Sequence, residues 1–147
     1  MSTCHCPPIR STSAIPHVPT HWAFPSHPAS VRQARHAVTA ALPTAFPVEL
    51  RDELALLTSE LVTNAIRHGT RPDDGSLIEL VLWPADGHYW LAVSDPGNDM
   101  PIVTTPGADS GGGRGLLLVD AVASMWAVVT RTTYGKSVIA GIRMHRI

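Results

Sequence analysis

The chain has no excess of basic residues, no long apolar run and little cysteine. Its 11 lysine and arginine residues stand against 12 aspartate and glutamate residues, so no basic surface for a polyanion such as DNA is predicted. No apolar run approaches the roughly 20 residues that span a bilayer, and no basic segment followed by an apolar core indicates a signal peptide. Two cysteines do not form a disulfide framework. We therefore expect a cytoplasmic globular protein.

The composition suits one folded domain preceded by a leader. Hydrophobic residues make up 44% of the 147 residues, which is enough for a single domain with little to spare. Residues 1–29 are rich in proline and histidine and have no apolar period. Such a segment buries too little surface to offset its ordering entropy, so it is predicted to be flexible. Residues 30–147 are predicted to form the folded domain.

One pattern inside the leader has the composition of a metal site. Zinc accepts four cysteine and histidine ligands, and a C-x-C pair followed by an H-x3-H pair is formed by Cys4, Cys6, His17 and His21. The first spacing is shorter than that of the usual zinc motifs, and prolines interrupt the segment between the pairs. The simpler interpretation is a disordered tail rich in both residue types, with metal binding as the alternative.

Hydrophobic periodicity predicts the order helix, helix, two strands, a loop with a third helix, and two more strands. The predicted elements cover residues 31–42, 48–68, 77–83, 89–94, 115–124, 126–132 and 137–144. Ser30 is expected to cap the first helix, and Gly69 to follow the second as its C′ residue. This order predicts an α+β fold, a two-layer sandwich with helices on one face of a mixed, mostly antiparallel sheet.

A polar stripe on the second predicted helix indicates chemistry. Glu60 and Asn64 lie one turn apart, and their stripe borders the apolar stripe instead of lying opposite it. Magnesium takes only one or two protein ligands when phosphates supply others, so the amide of Asn64 could suffice. Glu60 could accept a proton from an attacking hydroxyl or water. Taken alone, a solvated helix face is the simpler interpretation of this stripe.

Two later segments bear on the same question. Asp95 ends a predicted strand and precedes Pro96 and Gly97; its carboxylate could bind an exocyclic amine, and Gly97 could let a purine lie against bare backbone. The alternative is an ordinary type II turn. Residues Gly111–Gly115 open the third helix, where successive amides form an anion cradle and Arg114 adds a guanidinium fork. The alternative there is a flexible linker.

Together these segments resemble the GHKL ATPases, the group of gyrase B, Hsp90, MutL and histidine kinases. Residues Glu60–Asn64 are similar to the N box, Asp95–Gly97 to the first glycine box and Gly111–Val119 to the second, while Gly135–Val138 resembles the final strand signature. The wording of residues 59–69 is especially close to the small anti-sigma-factor serine/threonine kinases and their single-domain actinobacterial relatives. The resemblance covers essentially the whole predicted domain and implies a Bergerat-type ATP-binding fold.

The resemblance also implies a role for each matching residue. Glu60 would be the general base on the acceptor hydroxyl, and Asn64 would coordinate Mg²⁺ at the phosphates of ATP. Asp95 would bind the adenine amino group, with Gly97 beneath the ring. The remaining nucleotide contacts implied are Gly111, Gly113, Arg114 and Gly115 in a lid over the phosphates, and Ser137 near the adenine.

The function implied is that of a protein-serine/threonine kinase acting as an anti-sigma factor. Its expected partners are a sigma factor, an antagonist protein with a seryl or threonyl hydroxyl, and a second copy of the chain, with no direct contact to nucleic acid or membrane. Two departures from the family leave an alternative open. Asp99 stands where a second glycine often follows, and the lid is short. A nucleotide-responsive binding module without significant kinase activity is therefore the second hypothesis.

Overall fold

The computed structural model describes residues 19–70, 75–97, 114–131 and 135–144, and the following account concerns these ranges. They contain β1 (Thr20–Pro25), α1 (Ala29–Ala41), α2 (Val48–Gly69), β2 (Leu77–Ala85), β3 (His88–Asp95), α3 (Arg114–Val122), β4 (Met125–Thr130) and β5 (Lys136–Arg143). All three predicted helices and all four predicted strands are present, with no end shifted by more than two residues. None of the helices in these ranges is both long and apolar enough to cross a membrane.

The five strands form one sheet in the order β1-β2-β3-β5-β4. Every pairing between them is antiparallel, so the described sheet is antiparallel throughout instead of mixed. The β2–β3 hairpin turns on Asp86 and Gly87, whose φ angles are 52° and 72°; two positive values at an Asp-Gly pair are typical of a type I′ turn. The predicted α+β fold is confirmed.

β1 corrects the predicted boundary of the leader. Residues 1–29 are predicted from the sequence to be a flexible segment, yet Thr20–Pro25 pair with β2 along the edge of the sheet. Trp22 and Phe24 are partly buried against the core, and this burial of apolar surface helps offset the ordering entropy of the short strand. Residues 1–18 lie outside the described residues.

The zinc hypothesis is not tested by the described part of the chain. Cys4, Cys6 and His17 lie outside it, and His21 is an exposed residue of β1. Among the described residues no group of three or more histidine, cysteine, aspartate or glutamate side chains could hold a metal ion.

The hydrophobic core lies between the helices and one face of the sheet. α2 contributes an apolar stripe that is fully or almost fully buried, formed by Leu54, Leu57, Leu61, Val62 and Ala65. Alternate residues of the central strands face it: Tyr89, Leu91 and Val93 on β3, and Val138, Ala140 and Ile142 on β5. Because side chains alternate along a strand, the next residue in each inward row is a charged one, Asp95 on β3 and Lys136 on β5.

Two helix ends differ from the sequence expectation. Pro28 occupies the N-cap position of α1, and Ser30 lies in the first turn, where its hydroxyl donates to the carbonyl oxygen of Pro25 at 2.6 Å. Gly69 is the last residue of α2 and does not have the positive φ of a left-handed stop. The prediction that Gly69 is a C′ residue is therefore wrong. Glycine is needed at position 69 because of its contact with the Asp95 carboxyl group.

Candidate functional site

A buried ion pair joins the two central strands at one end of the sheet. Nζ of Lys136 lies 3.0 Å from Oδ1 of Asp95, and the two side chains are 3% and 2% exposed. The register of β3 and β5 places these residues directly opposite each other. Strand alternation turns both charges toward the helices, where each compensates the other. Removing either partner would leave an uncompensated buried charge.

The two oxygens of the Asp95 carboxylate have different surroundings. Oδ1 accepts from Lys136 and also from the backbone N–H of Gly97 at 2.8 Å. Oδ2 accepts no hydrogen bond from any residue within the described ranges. Oδ2 is therefore an acceptor without a hydrogen-bond partner among the described residues, on a carboxylate that is 2% exposed.

Three glycines allow the backbone to close around this carboxylate. A Cβ atom on Gly69 would overlap the carboxyl group and lie 2.5 Å from Oδ2, and one on Gly97 would lie 2.7 Å from Cα of Gly69. Gly135 has a φ of +87°, and its Cβ would overlap the carbonyl oxygen of Asp95. The end of α2, the end of β3 and the start of β5 thus meet at one point. Glycine is required at position 69 because of this close approach.

Asn64 and Glu60 lie farther along α2 from the same point. Asn64 is 8% exposed, and its carboxamide forms no hydrogen bond with any residue that the structure describes. Glu60 is half-buried one turn earlier. A helical rise of 1.5 Å per residue places Asn64 about 7.5 Å and Glu60 about 13.5 Å from Gly69 along the helix axis. An uncommitted amide oxygen is a suitable ligand for a hard cation.

A family model for the histidine kinase-like ATPase domain matches residues 24–141. The match covers α1, α2, α3 and all the residues of the ion pair and the glycine cluster. The chain belongs to this family. No curated protein matches the chain. The resemblance to GHKL ATPases is thereby confirmed at the level of the domain.

In this histidine kinase-like ATPase domain, Ser137 does not lie with Asp95. The Ser137 hydroxyl oxygen is 2.6 Å from the hydroxyl oxygen of Ser94, and these two residues are paired across β3 and β5. Neighbours on a strand point to opposite faces, so Ser137 faces away from the side that holds Asp95. Lys136 is the β5 residue that contacts Asp95, and the contact of Ser137 with adenine stays a prediction.

Lys136 and Gly69 are the site residues that the sequence analysis missed. The inward row of β5 runs through Val138, Ala140 and Ile142, and extending it by two residues leads to Lys136. A lysine in an inward position needs a buried partner, so the period of two was a usable signal. Gly69 had no comparable signal, because only the fold brings it to the Asp95 carboxylate.

Only some of the predicted phosphate-binding residues are among those that the structure describes. Gly111 and Gly113 lie outside the described residues, as does Asp99. Arg114 and Gly115 are the first residues of α3, which packs on the core through the fully buried Leu116 and Val119. Their contacts with phosphate stay predictions.

Proposed function

We propose that this domain binds ATP, with the adenine amino group at Asp95. The observation that carries the proposal is Oδ2 of Asp95, an acceptor without a partner among the described residues, held on a buried, ion-paired carboxylate. An exocyclic amine is a donor that matches such an acceptor. We expect Gly97 to lie beneath the ring, because a residue without a side chain lets a flat base approach its backbone. Membership in a family of ATPase domains supports ATP as the nucleotide.

We propose that Asn64 holds the Mg²⁺ that accompanies ATP. The single uncommitted amide oxygen fits this ion, because magnesium takes few protein ligands when phosphates supply others. When bound, the ion would neutralise phosphate charge. Gly111, Gly113, Arg114 and Gly115 would bind the phosphates through the start of α3 and its preceding amides. From Gly69, Asn64 and then Glu60 follow along the helix, which suits a nucleotide lying along α2 with its base at Asp95.

We further propose that the protein is a protein-serine/threonine kinase acting as an anti-sigma factor in the cytoplasm. Glu60 supports transfer, since a carboxylate beside the bound phosphates can accept the proton of a seryl or threonyl hydroxyl. Phosphoryl transfer depends mainly on positioning and charge stabilisation, so this small set of residues can suffice. The proposed partners are a sigma factor, an antagonist protein that receives the phosphoryl group, and a second copy of the chain.

A nucleotide-responsive module that binds a partner without phosphoryl transfer is the second candidate function. Asp99 favours it, because an acidic residue shortly after Gly97 would oppose the charge of a triphosphate.

Transfer of labelled phosphate from ATP to a candidate antagonist distinguishes the two functions. The full chain is incubated with Mg²⁺ and the antagonist, beside Glu60→Gln and the matched control Glu49→Gln, which changes an exposed glutamate in the first turn of the same helix. We expect Glu60→Gln to lower transfer by about 100-fold or more while ATP still binds, and Glu49→Gln to leave transfer unchanged. ATP binding without any transfer by the native chain would support the module. Absence of ATP binding would refute both.

A further inference from the structure

We propose that Lys136 is a positioning residue that determines which purine the site accepts. This inference rests on the proposed binding of an adenine nucleotide and assigns its base selectivity to the way Lys136 holds Asp95. Lys136 donates a hydrogen bond to Oδ1 of Asp95, which leaves Oδ2 as the oxygen that accepts from the ligand.

The geometry around Oδ1 carries the inference. Lys136 Nζ at 3.0 Å and Gly97 N–H at 2.8 Å are both donors, and both point to this oxygen. Two donors that point to one position can be satisfied only by an acceptor at that position. Asp95 cannot exchange its two oxygens without breaking both bonds, while the backbone of Gly69 restricts the space beside the carboxyl group. The orientation of the carboxylate is therefore fixed.

The charge of Lys136 carries the second half of the inference. Asp95 is 2% exposed, and an isolated charge in such a place either moves toward water or becomes neutral. The ammonium of Lys136 lies 3.0 Å from Oδ1 and compensates the charge of the carboxylate locally. A carboxylate only accepts hydrogen bonds, so the site favours a base with an exocyclic amino group and disfavours one with an exocyclic oxygen. Adenine has the former and hypoxanthine the latter.

The test compares the dissociation constants of ADP and IDP, which present an amino group and an oxygen at the same position of the base. For the full native chain we expect ADP to bind about 10- to 100-fold more tightly than IDP, as befits one charge-assisted hydrogen bond. Lys136→Met should reduce this preference by about 10-fold or more. Lys136→Arg keeps a donor and a charge and should restore most of it, whereas a residue with only a packing role would be replaced better by methionine.

Asp95→Asn provides a sharper readout. Lys136 and Gly97 both donate to the Oδ1 position, where only the carboxamide oxygen can accept, so the NH₂ group takes the place of Oδ2. The site then presents a donor, and we expect IDP to bind more tightly than ADP. Adding Lys136→Met removes the orienting ammonium and leaves only the Gly97 N–H to hold the carboxamide, so the preference of the double variant for IDP should fall to within about threefold. The double variant removes both charges, and we expect it to fold even where a single variant does not.

The outcomes separate this inference from the proposed function. If the native chain binds neither ADP nor IDP, the proposed function fails and the inference with it. If the native chain binds both equally, nucleotide binding stands and the role of Lys136 is refuted. An unchanged ADP preference in folded Lys136→Met, or a native preference for ADP in the double variant, would also refute it. Reversal in Asp95→Asn that disappears in the double variant would support it.

Discussion

The ion pair between Asp95 and Lys136 should dominate the response of this fold to mutation at the end of the sheet. Each side chain is at most 3% exposed, so a variant that removes one charge leaves the other uncompensated in the interior. Breaking such a pair from one side typically costs about 3–5 kcal/mol, whereas replacing both partners by apolar groups is often neutral or stabilising. We expect Asp95→Leu and Lys136→Met to lower the free energy of unfolding by about that amount each, and the double variant to recover most of it.

This coupling is measured by urea unfolding of four proteins: the native chain, Asp95→Leu, Lys136→Met and the variant that carries both substitutions. The pair formed by Arg131 and Glu79 is the matched control, because its N–O distance is 3.5 Å but its side chains are 47% and 41% exposed. Exposed pairs contribute about 0–1 kcal/mol, so Glu79→Gln should change stability by no more than that. If each buried substitution also cost less than about 1 kcal/mol, or if the two losses simply added, the reasoning from burial and pairing would be refuted.

Two further substitutions test the close packing around the site and the buried tyrosine. Gly69→Ala places a methyl group on the Asp95 carboxyl group; we expect a loss of about 1–3 kcal/mol in urea unfolding and weaker ATP binding, and native behaviour in both would contradict the packing argument. Burial raises the pKa of the Tyr89 phenol, so the unfolded chain releases this proton first and stability should fall as pH rises above about 10. Tyr89→Phe keeps the ring beside Phe46 and should flatten that fall in unfolding curves recorded between about pH 9 and pH 11; an equally steep fall would exclude Tyr89 as its source.

Strong periodicity explains why most of the fold was predictable. The apolar stripe of α2 recurs at helical spacing through Leu54, Leu57 and Leu61, and all three are buried. The inward rows of β3 and β5 alternate with equal regularity, so the sheet and its covering helices follow from pattern alone. β1 was missed because its proline-rich surroundings suggest disorder. Its order depends on pairing with β2, which is tertiary context that a local pattern does not contain.

Single residues of the candidate site could be predicted from the sequence, but the contacts between them could not. Asp95 was recognised as a carboxylate at a strand end, and the structure places it there. The ion pair of Asp95 was missed because Ser137, and not its neighbour Lys136, was expected near the adenine at Asp95. Neighbouring residues of a strand lie on opposite faces of the sheet, so a shift of one residue changes the face. The convergence of Gly69, Gly97 and Gly135 depends on backbone contacts between segments far apart in the chain. Such contacts have no signature in sequence spacing.

The central claim is that the domain binds ATP together with Mg²⁺ and that Asn64 holds the ion. It is tested most directly by calorimetric titration of ATP, with and without Mg²⁺, into the native chain and into Asn64→Ala. We expect the native chain to bind ATP and to bind it more tightly with Mg²⁺. We also expect Asn64→Ala to remain folded, as judged by its melting temperature, and to keep only the magnesium-independent part of the affinity. A native chain that binds no ATP under either condition would contradict the account, as would an Asn64→Ala variant that retains the full effect of Mg²⁺.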